Sequence, residues 1–172
     1  MSLTTQPAID QVDVRGPRFA AWLTTAVLLA VLALSAVHVP AAAALLAAQA
    51  VVFAIGAALG PRRHPYGRLF ATLVAPRLGP PTDREPVAPL RFAQFVGVIF
   101  ATTGVAGFAL GAPLLGAIAA ALALAAAFLN AAFGICLGCQ IYPLIAHLRH
   151  SAGAASTDLR RSAGAASTEL GR

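Results

Sequence analysis

The chain has 172 residues, 59% of them hydrophobic and only 10% charged, against roughly a quarter charged in soluble domains. That composition excludes a soluble globular domain, because too little polar surface exists to cover the apolar excess. The net charge of +6 does not indicate nucleic acid binding: all twelve basic residues are arginines, and they flank apolar runs as the positive-inside rule requires.

From the N-terminus, residues 1–18 read as a cytoplasmic tail carrying Arg15 and Arg18. Phe19 to Gly60 then holds no charge over 42 residues. As one helix it would reach about 63 Å, twice the ~30 Å hydrocarbon core, so it must fold back. Pro40 is the breaker, which predicts spans at 19–38 and 41–59 with His38 in a solvent-facing turn. The loop 61–91 holds six arginines and is expected to be cytoplasmic. Within it Tyr66, Leu69, Phe70, Leu73 and Val74 recur at helical spacing, which predicts a short interfacial helix from Pro65 to Ala75. His64, next to Arg62 and Arg63, is expected in a headgroup-binding patch.

A second uncharged run, Phe92 to Ala146, is broken by Gly111-Ala112-Pro113, which predicts spans at 92–111 and 114–136. The expected fold is therefore all-α: a four-helix membrane bundle of two hairpins over residues 19–148, with both termini cytoplasmic. Arg18-Phe19-Ala20 opens the first hairpin and Arg91-Phe92-Ala93 the second, the mark of a parallel repeat. Gly56/Gly60, Gly107/Gly111 and Gly134/Gly138 have the spacing that lets helices approach closely in lipid. Residues 149–172 form a low-complexity tail, with Ser151 to Leu159 nearly repeated from Ser162 to Leu170, and disorder is expected there.

The two cysteines, Cys136 and Cys139, stand together near the cytoplasmic end of the fourth span. On a straight helix they share one face, with Cα atoms about 5 Å apart, opposite Gly134 and Gly138. Several readings compete. The first is thiol–disulfide or persulfide exchange with a cytoplasmic thioredoxin-like or sulfurtransferase partner, which would make the chain oxidoreductase-like. Arg18 and Arg91 are the candidates to stabilise a thiolate or anchor the protein to headgroups. One objection arises: a pair at a helix C-terminus meets the negative end of the dipole, which raises a thiol pKa. A second reading is a metal site from Cys136, Cys139, His147 and His150, which a straight helix holds too far apart. A third is a small transporter of a sulfur species, with Asn130 as its polar in-membrane residue. A non-enzymatic scaffold or assembly factor, with cysteines that merely pack, completes the set. No cofactor is expected, and self-association stays open.

The segments Val12 to Ala20, Pro76 to Pro81, Arg91 to Gln94 and Asn130 to Gly134, with Cys136 and Cys139, resemble the bacterial membrane family called domain of unknown function 4395. The resemblance covers about residues 10–148, and its matching positions are Asp13, Arg18, Arg91, Phe92, Gln94, Asn130, Cys136 and Cys139. It implies a four-helix domain of the bacterial cytoplasmic (inner) membrane, common in actinobacteria and associated with thioredoxin-like and sulfurtransferase proteins. It carries no established activity.

Overall fold

A computed structural model describes residues 10–81 and 83–142. Four helices are long and apolar enough to cross a membrane: α1 (Arg15–Val37), α2 (Val39–Leu59), and, after a short α3 (Pro65–Leu69), α4 (Val87–Ala109) and α5 (Pro113–Phe133). This is the make-up of a multi-pass membrane protein. Local chemistry sets the ends. His38 is extended, and its Nδ1 accepts the Ala41 N–H at 3.1 Å, capping α2 just before Pro40. Gly60, Gly111 and Gly134 all have positive φ, and each lies just beyond a helix end. The three glycine pairs read as packing motifs therefore divide. Gly56 and Gly107 pack inside helices, whereas Gly60, Gly111 and Gly134 end them.

The helices form a ring in which α2 packs on α4, α4 on α5, α5 on α1 and α1 on α2. Leu28, Val31, Leu46, Phe53, Ala101, Phe108 and Ala120 make the core. Small residues bring α4 onto α5: a Cβ on Gly107 would stand 2.6 Å from the Gly116 nitrogen. Many of the exposed positions on these helices are apolar, among them Trp22, Leu29, Phe95, Ile99 and Leu122.

The two entry arginines behave alike. Arg91, at the start of α4, donates to the Ala57 and Ala58 carbonyls at 2.9 and 2.8 Å, beside the glycine that ends α2. Arg18, at the start of α1, lies against Gly134, the glycine that ends α5. Each arginine thus lies at the end of a helix other than its own, where the negative end of the dipole favours a cation.

Two expectations need correction. The segment before the first span is not simply a tail. Gln11–Asp13 (β1) pairs antiparallel with Arg84–Pro86 (β2), Val12 facing Glu85, so a small ribbon ties it to the long loop. Arg15 holds both oxygens of Asp13 and the Gly79 carbonyl, which keeps the Asp13 carboxyl below its usual range. Arg62 pairs with Asp10 at 2.8 Å. His64 is not at a headgroup surface either. It is 3% exposed, packed between Gly56 and Gln94, and burial pulls its pKa down to about 4, so it is neutral. The two preceding arginines suggest a headgroup-facing position, but the turn after Gly60 folds the imidazole inward.

Candidate functional site

The fourth span was expected to run to residue 136, with both cysteines on its last turns. It ends at Phe133. Gly134, at φ 69°, takes the left-handed conformation that stops a helix, and its N–H still closes on the Asn130 carbonyl at 3.1 Å. Residues 134–136 are irregular, and a new helix, α6, runs from 137 to the last described residue, 142. The chain divides into two compact units, the first ending at Cys139 and the second beginning at Gln140.

Cys136 therefore precedes a helix instead of lying near the end of one. Its Sγ accepts the backbone N–H of Cys139 at 3.3 Å, the contact made by an N-capping side chain. Both cysteines are free thiols and half-buried. Their chemistry is unequal. The Cys139 thiol also hydrogen-bonds to Cys136, and together with the backbone N–H this draws the Cys136 thiol below its ordinary value, against the opposing effect of burial. Cys139, holding the shared proton and half-buried, is pushed up. The first proton to leave the pair comes from Cys136. The objection from helix polarity falls with the straight helix that produced it.

Other elements complete the surroundings. A Cβ on Gly138 would stand 2.7 Å from the Ala93 Cα, so the start of α6 rests directly on α4. Arg18 lies against Gly134, two residues before Cys136. The β1–β2 ribbon carries Glu85 close enough for its charge to raise both thiols, and Arg18 in turn offsets the burial that raises the Glu85 carboxyl.

Val12, in the ribbon that carries Glu85, is also the residue where the family match begins. A family model, Domain of unknown function (DUF4395), matches residues 12–147. The chain belongs to the DUF4395 family. Among curated proteins and among solved structures nothing matches it. The DUF4395 match covers all of the ribbon but Gln11, all four long helices and the cysteine pair, but not the duplicated tail.

Of the residues singled out from sequence, Cys136, Cys139 and Arg18 come together. Arg91 does not join them, because its guanidinium is spent on the end of α2. Asn130 lies one turn before the break, half-buried, and its backbone carbonyl accepts from Gly134. His147 and His150 lie outside the described residues, as does the tail. Among the described residues no three His, Cys, Asp or Glu side chains group to hold a metal. Glu85 is the residue that sequence reasoning missed. It lies in the long loop, and only the ribbon register could have signalled that its carboxylate returns to the thiols.

A test of its influence follows. Glu85→Gln removes a negative charge that opposes the thiolate, so the pH midpoint for alkylation of Cys136 is expected to move down. A midpoint that stays or rises would mean that Glu85 does not act on the pair.

Proposed function

We propose that this protein exchanges sulfur bonds with a soluble thiol or disulfide partner at the cytoplasmic face of the bacterial inner membrane, with Cys136 as the attacking group and Cys139 as the resolving one. The observation that carries the reading is the asymmetry of the pair: the Cys136 sulfur is hydrogen-bonded by the Cys139 N–H, and its proton is the easier to remove. Orientation rests on charge. The arginines cluster at the end of the bundle that holds the cysteines, and the turns at 38 and 110–112 carry none, so the arginine-rich end belongs inside. A reducing compartment favours a catalytic pair over a structural bridge.

In the reducing direction the Cys136 thiolate attacks one sulfur of a partner disulfide. A bond forms between Cys136 and that sulfur, the partner's own S–S bond breaks, and the departing thiolate takes a proton. Cys139 then loses its proton and attacks the Cys136 Sγ. The intrachain disulfide forms, the mixed disulfide breaks, and the partner leaves as a dithiol carrying two electrons. A second dithiol run through the same steps in reverse restores the pair. Transfer from a partner persulfide would begin alike, with Cys136 taking the outer sulfur and the partner thiolate departing.

Trapping tests the reading. With Cys139→Ser the resolving step is lost, and a mixed disulfide through Cys136 should accumulate on incubation with an oxidised dithiol protein. With Cys136→Ser no such adduct is expected. Equal trapping by both variants, or by neither, would refute the assignment.

A further inference from the structure

The long loop holds a second feature that the thiol chemistry does not use. After Leu59 the chain turns back on itself: the His64 N–H closes on the Gly60 carbonyl at 3.1 Å, and α3 begins at Pro65. Tyr66 then donates its hydroxyl to Gln49 Oε1 at 2.8 Å. Gln49 lies ten residues before the end of α2, or about 15 Å along the helix axis, and is 1% exposed. The start of this segment is thus set beside the span, at a depth only partly offset by the reach of a tyrosine side chain.

The helical path continues from α3 through a π turn at Phe70–Val74 and a 3₁₀ turn at Ala75–Arg77. Its inner side is seated. Phe70 is 6% exposed, packed at Gly16 and with its ring centroid 5.8 Å from that of Phe19. Its outer side is not. Leu69, Leu73 and Leu78 are 39%, 54% and 42% exposed. Beside them Arg63, Arg68 and Arg77 are exposed, and none has a carboxylate partner among the described residues, whereas Arg15 and Arg62 each hold an aspartate.

We propose that residues 63–78 form a seat for an anionic phospholipid, with Leu69, Leu73 and Leu78 against the acyl and glycerol region and Arg63, Arg68 and Arg77 on the phosphate. Two independent observations meet here. The depth set by the Tyr66–Gln49 bond puts the exposed leucines level with lipid, where they need no protein cover. The guanidiniums, which hold no carboxylate among the described residues, supply the charge that a phosphodiester headgroup complements, and each fork can take two phosphate oxygens. A zwitterionic lipid satisfies the leucines equally but carries no net charge for the arginines.

The test uses the full-length protein, purified in detergent and exposed to micelles of equimolar phosphatidylglycerol and phosphatidylcholine. Retained lipids are then counted by native mass spectrometry. At about a fivefold gain per basic residue near an anionic surface, a preference for phosphatidylglycerol of at least roughly tenfold is expected. Arg63→Gln, Arg68→Gln and Arg77→Gln together should bring the two lipids to parity. Arg62→Gln with Arg84→Gln, in the same loop, should leave the preference in place and so controls for general loss of charge or fold. The proposal is overturned if the triple variant keeps the preference or if the control pair removes it as fully. It is also overturned if soluble glycerol phosphate displaces the lipid, which would make the site one for a free anion, or if an acidic protein copurifies on these arginines in place of lipid.

Discussion

Gly134→Ala is expected to slow alkylation of Cys136 at neutral pH by about tenfold or more, with the pH midpoint moving up by about one unit. The argument starts from the backbone. Gly134 has a φ of 69°, and an alanine there costs on the order of 1–2 kcal/mol. Its Cβ would also overlap the Arg18 guanidinium, which can swing aside but must then leave its position. The cheaper outcome is for residue 134 to take helical angles, so that α5 runs on through the cysteines. Cys136 then loses the Cys139 N–H at its sulfur, because in a continuous helix that donor turns to a backbone carbonyl. It also comes to lie near a C-terminus, where the dipole opposes a thiolate. Both changes raise its pKa. Iodoacetamide rates across a pH series, with mass spectrometry to assign the modified cysteine, read the shift directly. Unchanged kinetics in a folded Gly134→Ala protein would show that the helix break does not control the thiol.

The second large effect concerns the bundle itself. Gly107→Leu should destabilise it by about 3 kcal/mol or more. A Cβ at Gly107 would stand 2.6 Å from the Gly116 nitrogen, 3.0 Å from its Cα and 3.2 Å from the Ala112 carbonyl oxygen. These are backbone atoms, which cannot rotate away as a side chain can, so α4 and α5 must move apart. In lipid the added leucine gains nothing from burial to offset the lost packing. Gly79→Ala is the matched control, since nothing lies within 4 Å of a Cβ there and its effect should be near zero. Unfolding of the purified proteins by heat or by titration with a denaturing detergent compares the two. Equal midpoints for Gly107→Leu and the native chain would mean that the close approach of α4 and α5 does not hold the bundle.

How much of this was legible in the sequence varies by element. Two charge-free runs, each too long for one span, demand four helices, and Pro40 and Pro113 mark where the chain turns. The segment from Pro65 was visible as an apolar stripe, and it is helical to Arg77. The ribbon was not visible, because three residues on each strand are too few to carry an alternating pattern. His64 was misread because its neighbours in sequence are arginines, whereas its neighbours in space are Gly56 and Gln94.

The cysteine pair divides most clearly. Composition and spacing by themselves determined that the two thiols lie together at the arginine-rich end of a membrane bundle, since both facts follow from position along a chain whose apolar lengths are set by the bilayer. They could not determine on which side of a helix terminus the pair falls. A glycine continues a helix or ends one according to its φ, and that choice is made by what packs around it: Arg18 at Gly134 and Ala93 at Gly138. Only the tertiary structure therefore decided that Cys136 caps a new helix, that its thiol is the more acidic of the two, and that Glu85 is brought beside them from a loop some fifty residues away.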